Sequence, residues 1–134
     1  MRLILFLDER GGMLFLGKRQ SKDSAARAYV LNMAAGHRLW MNVYSMKQFT
    51  EGGEISLSES PIHDAGADDF VLIENLPVLL DNASEVILFL WNRHYPSDVR
   101  FDIRRLSEAG FHLAASDEFA GTSHEKITVE TYRR

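Results

Sequence analysis

The stretch Leu3-Ile4-Leu5-Phe6-Leu7, closed by Asp8, decides how this chain is read. A strand with one wet face alternates apolar and polar residues. An unbroken apolar run of this length instead fits a strand covered on both faces, as in the parallel sheets of α/β proteins. Phe70-Val71-Leu72-Ile73 and Val86-Ile87-Leu88-Phe89-Leu90 repeat the texture, and Leu39-Trp40-Met41-Asn42-Val43 reads as a further strand. Each ends in residues that carry chemistry: Asp8; Asn42, Tyr44 and Ser45; Glu74 and Asn75; Trp91, Asn92 and Arg93. In open α/β sheets ligands gather outside the carboxyl ends of the strands.

The intervening segments complete the pattern. Asp8 to Gly12 turns the chain, Met13 to Leu16 is apolar again, and Gly17 to Lys22 reads as a polar loop. Ser21 is the expected helix N-cap. Ala25, Ala26, Tyr29, Val30 and Met33 recur at helical spacing and Gly36 supplies the stop, which predicts a helix over 22–34. Ser45 is expected to cap a short helix running to Phe49. Residues 55–57 form a short strand, and 59–69 are irregular or briefly helical. From Phe111 the chain alternates, turns near Thr122-Ser123 and extends again from Lys126 to Tyr132, which predicts an antiparallel pair. The expected fold is α/β: a mixed, mostly parallel central sheet with flanking helices and a C-terminal antiparallel strand pair, with residues 1–134 as a single domain.

Composition narrows the function classes. The chain has no cysteine, which excludes disulfides, thiolate metal sites and cysteine nucleophiles and suits a reducing compartment. Met1 to Leu7 is too short for a signal peptide, and no apolar run approaches a membrane span of about 20 residues. A cytoplasmic location is therefore expected. The net charge of −4 argues against a dedicated nucleic-acid binder, although Lys18, Arg19, Lys22, Arg93, Arg100, Arg104 and Arg105 are available cations.

The pattern resembles the dihydrofolate reductase fold. The first strand, an acidic residue and then Gly12-Met13 resemble that family's opening. Asp23 sits ten residues after Met13, where the family keeps its proton-donating carboxylate. Leu39-Trp40-Met41-Asn42 resembles the next strand, and Phe101 together with the segment from Phe111 through Ser123 to Arg133 resembles the closing hairpin. The resemblance implies a pterin or folate site, NADPH as cofactor and Asp23 as proton donor. Two departures weigh against NADPH bound in the family's manner. Ile73-Glu74-Asn75 stands where the family has a Gly-Gly that admits the pyrophosphate, and Asn42-Val43 stands where it has a Gly-Arg. Ser45 could still leave a weak anion site at a helix start. The chain also resembles short bacterial proteins of unassigned role, some of which carry the label ribonuclease Z. That zinc chemistry needs paired histidines. His37, His63, His94, His112 and His124 are scattered, and no metal is expected.

Each candidate residue has a plainer role beside the functional one. Asp23 is a general acid, or a first-turn carboxylate complementing a helix dipole. Arg19 and Gln20 clamp an anion, or belong to a solvated loop. Trp91 and Tyr95 stack on a planar ring while Asn92 reads its edge and Arg93 pairs a charge; alternatively Trp91 is core and Arg93 pairs with Glu74. Glu74 and Asn75 recognise an amino group or a base edge, and Asn42 and Ser45 line the same strand ends. Gly11-Gly12 is a plain turn, and Ser21, Ser45 and Ser123 have no histidine or aspartate at readable spacing, so a hydrolytic triad is not expected. The reading that follows is a domain binding a planar anionic small molecule, pterin- or nucleotide-like. The alternatives are a divergent reductase using Asp23 and a non-enzymatic homodimeric interaction module.

Overall fold

In the computed structural model, which describes residues 1–134, the opening apolar run is β1 (Arg2–Leu7). Both of its neighbours run parallel to it, β6 (Phe70–Leu72) on one side and β7 (Glu85–Leu90) on the other. Beyond β6 lie β4 (Leu39–Met41) and then β5 (Ile55–Leu57), also parallel. Beyond β7 lie β10 (Ile127–Arg133) and β9 (His112–Phe119), both paired antiparallel. The seven-stranded order is β5-β4-β6-β1-β7-β10-β9, a mostly parallel sheet with an antiparallel pair at one edge.

Alternation along β1 explains why its sequence is unbroken. Leu3, Leu5 and Leu7 join Val86, Leu88, Phe101, Leu106 and Phe111 in one core layer. Ile4 and Phe6 face the opposite layer with Ala26, Val30, Ile87 and Phe89. Each face is buried, so each position must be apolar. The helix α1 (Ser24–Met33) covers the second face through Ala26 and Val30. On the first face, Leu106 of α4 (Arg104–Glu108) is buried. The sequence pattern leaves α4 unassigned, because one helical turn has no room to show a period.

Three local expectations are corrected. The cap of α1 is Asp23, not Ser21: the carboxylate accepts from the N–H groups of Ala25 and Ala26 at 2.9 and 3.2 Å. β4 stops at Met41, because Asn42 Oδ1 accepts the Ser45 N–H at 3.1 Å and starts α2 (Val43–Met46). Ser45 therefore lies inside that helix and does not cap it. The segment read as a loop after Gly17 contains β3 (Lys18–Arg19). It pairs with β2 (Gly12–Phe15), and β2 also pairs with β8 (Val99–Arg100), giving a second, antiparallel sheet. Leu16 and Gly17 both adopt positive φ, 51° and 77°, which suits a two-residue hairpin turn. The remaining helix, α3 (Pro61–Asp64), begins with proline at its first position. No helix is long and apolar enough to cross a membrane.

Candidate ligand site at the strand ends

The carboxyl ends of β1 and β7 lie side by side, and the Trp91 N–H donates to Leu7 O at 2.9 Å just past the end of β7. Asn92 then takes a left-handed conformation (φ 58°), which asparagine tolerates better than most residues, and this ends the strand. Its Nδ2 donates to Lys126 O at 3.1 Å and to Thr128 Oγ1 at 2.9 Å, fastening the bend to the start of β10. The bend opens a polar cleft of about 480 Å³ between Trp91, Asn92 and Arg93 on one side and Ser123, Glu125 and Lys126 on the other. Arg93 and Lys126 place two cations against the single carboxylate of Glu125. Lys126 also lies 3.5 Å from Glu118, an exposed contact that holds it weakly.

Asn92 also borders a larger cleft of about 680 Å³, lined among others by Asp8, Arg10, Arg100 and Phe101. Asp8 is committed to the turn after β1. Its Oδ1 accepts from the N–H groups of Arg10 and Gly12, both at 2.8 Å, and its Oδ2 accepts from Gln20 Nε2 at 3.0 Å and the Tyr95 N–H at 3.2 Å. Burial opposes its charge, but these donors outweigh burial and hold the carboxyl below its ordinary range. Gln20 spends its amide on Asp8 and on Pro96 O, so it supports this turn.

Trp91 borders the smaller cleft yet is only 3% exposed. Phe6 stacks on it at 5.2 Å and His124 at 4.5 Å. The indole therefore offers the cleft an edge and no free face on which a planar ring could stack.

Asp23 lies elsewhere, enclosed at the start of α1. Besides the two capping bonds, Oδ1 accepts from Thr122 N and Thr122 Oγ1, both at 3.1 Å. Oδ2 accepts from Ser123 N at 2.7 Å and faces His124 Nδ1 at 3.0 Å. Burial raises the cost of the charge, but the donors from His124, Ser123, Thr122 and Ala26 prevail and hold the carboxyl far below the ordinary range. A group held so firmly ionised has no proton to give. Gly121 is required beside it: a Cβ there would come within 2.5 Å of Asp23 Oδ2 and 2.7 Å of His124 O.

The partner of Glu74 is Arg19, not Arg93. Arg19 Nε and Nη2 reach the two carboxylate oxygens at 3.0 and 3.2 Å. Nη2 also donates to Tyr44 O at 3.1 Å, and the guanidinium lies 4.3 Å over the Tyr44 ring. Gln48 Nε2 completes the shell of Glu74 at 2.9 Å. Burial works against the charge of Arg19, but the Glu74 carboxylate outweighs it and raises its pKa. At the neighbouring strand end, Asn42 Nδ2 donates to Asn75 Oδ1 at 2.8 Å, and Glu59 Oε2 accepts the Val43 N–H at 3.1 Å. A dinucleotide diphosphate at this place would meet the Glu74 carboxylate, an amide bridge and a helix start already occupied by Glu59. These residues do not fit it.

Ser45 Oγ is buried and has no partner. Ser45→Ala therefore removes a desolvated hydroxyl that bonds to nothing, and it is expected to raise stability by about 1 kcal/mol. Equilibrium urea unfolding checks this; a loss of stability would mean the hydroxyl is satisfied in solution.

The structure thus distributes the sequence candidates over four networks, with Gln20 at the Asp8 turn. Trp91, Asn92 and Arg93 meet at one cleft. Arg19, Glu74, Asn42, Asn75 and Ser45 belong to the neighbouring β4–β6 strand ends, and Asp23 is enclosed behind the cleft wall, joined to it through Ser123 and through the His124 ring stacked on Trp91. It also assembles what spacing conceals: His124 Nε2 lies 3.0 Å from Ser21 Oγ and 2.8 Å from Tyr95 OH, while His124 Nδ1 faces Asp23. The absence of a serine–histidine–aspartate arrangement expected from spacing is corrected here. No group of three or more histidine, cysteine or acidic side chains is placed to hold a metal ion.

No family model and no curated protein sequence matches the chain. Among solved structures it is similar to dihydrofolate reductase from Enterococcus faecalis, complexed with NADP(H) and RAB-propyl, at 12% identity and a TM-score of 0.66. The match covers 99% of this chain and 95% of that one. The fold is therefore dihydrofolate-reductase-like, whereas identity this low carries no activity with it.

Proposed function

We propose, from this fold, that the chain binds a small anionic molecule in the cleft at the end of β7. The observation that carries the reading is the convergence of Arg93 and Lys126 beside Asn92 and the Trp91 edge in one polar cleft. Arg93 presents a planar fork suited to a carboxylate or phosphate, and Lys126 adds a mobile point charge. Asn92 spends its amide group on Lys126 O and Thr128 Oγ1, so its carbonyl oxygen is the atom left to read a ligand's donor. The ligand class is a pterin-, folate- or nucleotide-like anion whose ring lies against the indole edge. The reductase alternative loses its support, since Asp23 is enclosed and held ionised.

Isothermal titration with nucleoside monophosphates, folates and dihydropterins tests this. Arg93→Ala and Lys126→Ala are each expected to weaken binding about tenfold, or ~1.4 kcal/mol. Because both residues are on the surface, their thermal stability is expected to be unchanged. The reading fails if none of these compounds binds, or if binding survives the loss of both cations.

A further inference from the structure

The geometry points to a second site: Ser21 as a nucleophile activated by His124 and Asp23, acting on small acyl esters. Three features support it. The first is the relay itself. Asp23 Oδ2 accepts from His124 Nδ1 at 3.0 Å, which fixes the tautomer and turns Nε2 into a proton acceptor, and Ser21 Oγ stands 3.0 Å from that nitrogen. The second is the rigidity of the histidine. It stacks on Trp91 at 4.5 Å and 15°, and its side chain is 1% exposed, so its ring cannot swing away from Ser21. The third is access. Ser21 is half-buried, not enclosed, and the backbone N–H groups of Ser21 and Lys22 donate to no protein acceptor, so both are uncommitted donors.

Tyr95 also reaches the Ser21–His124 pair. Its hydroxyl lies 2.8 Å from His124 Nε2 and 3.4 Å from Ser21 Oγ, and it borders a cavity of about 310 Å³ with Phe15, Leu16, Lys18, Gln20 and Pro96. One lone pair on Nε2 accepts one hydroxyl at a time. When Ser21 donates to Nε2, Tyr95 donates to Ser21 Oγ, and the serine is poised for attack. The step balances without a cofactor. Ser21 Oγ bonds to the ester carbonyl carbon, and its proton passes to Nε2. The acyl–oxygen bond breaks, and the leaving alcohol takes that proton. Water then releases the acid by the same route.

A fluorophosphonate probe on the intact protein tests the proposal. Attack forms a phosphorus–oxygen bond at Ser21, fluoride leaves, and the serine proton moves to His124. Peptide mass spectrometry is expected to find the adduct on Ser21 of the folded protein. Heat-denatured protein is expected to label at least about 100-fold more slowly, the usual contribution of a general base. Ser21→Ala abolishes the adduct, and His124→Gln reduces it by a similar factor. An adduct on Tyr95 or another residue, no adduct, or equal labelling of folded and denatured protein overturns the assignment. Because the folded and denatured wild type decide the matter, a variant that fails to fold does not obscure it. The anion cleft shares Trp91 and Ser123 with this site but not its two cations, so loss of Arg93 and Lys126 is expected to leave the labelling intact.

Discussion

Asp23→Ala is expected to lower the unfolding free energy by about 4 kcal/mol. A helix cap of this kind is worth about 1 kcal/mol. The remainder comes from the donors that alanine leaves without an acceptor: the buried ring N–H of His124 and the part-buried N–H groups of Thr122 and Ser123. Each orphaned buried donor costs about 1 kcal/mol or more. For a chain of this size the melting temperature is expected to fall by about 15 °C. A general acid facing a substrate would behave differently, because its removal costs activity and leaves the fold nearly untouched.

The same carboxylate sets the acid limb of stability. Its pKa in the folded protein is depressed, so the unfolded state binds the proton more readily. Its contribution is complete above the ordinary aspartate range and disappears as pH falls from there toward the depressed folded value. Asp23→Asn is therefore expected to flatten the loss of stability across that window, measured by urea unfolding at a series of pH values. Parallel profiles for the two proteins would show that another carboxylate governs the acid limb.

Glu74→Ala is the second large effect, expected at about 3 kcal/mol. Removing one member of a buried ion pair strands the other, and the loss exceeds what the intact pair contributes. Here Arg19 keeps 21% of its side chain exposed, so water relieves part of the cost. Gln48 also loses its acceptor. The double variant Arg19→Ala/Glu74→Ala is expected to cost clearly less than the sum of the single variants, by more than 1 kcal/mol. Additive losses would mean the pair is not coupled in solution.

These two networks show why the sheet was more legible than the site. Leu3 to Leu7 needs no partner to be read as a doubly covered strand, because the covering of both faces is written in the run itself. The antiparallel edge was equally visible in the alternation after Phe111. Side-chain partnerships have no such local mark. Arg93, at a nearby strand end, is the partner the sequence suggests for Glu74, until the topology places Tyr44 and Arg19 beside it. Ser21 looks like the cap and Asp23 like a first-turn carboxylate; the chain instead starts α1 later, with Asp23 on the Ala25 and Ala26 N–H groups and Ser21 left to the distant His124. Trp91 stands at a strand end in the sequence, where a ligand-stacking ring and a core ring look alike. Its neighbours on the ring, Phe6 and His124, could not be inferred from spacing.

The turn between β9 and β10 reaches back across the chain to close over the start of α1, through Thr122, Ser123 and His124. Tyr29 reaches from the helix to Asp117 at 2.9 Å and stacks on Phe119 at 4.9 Å. The first turn of α1 is thus completed by residues made about a hundred positions later. During synthesis the helix must wait with its entrance unfinished until the final hairpin emerges. Once formed, helix and hairpin open together as one cooperative unit. Backbone amides at the start of α1 are then expected to exchange with solvent at the pace of the hairpin, not at the pace of an ordinary fraying helix end.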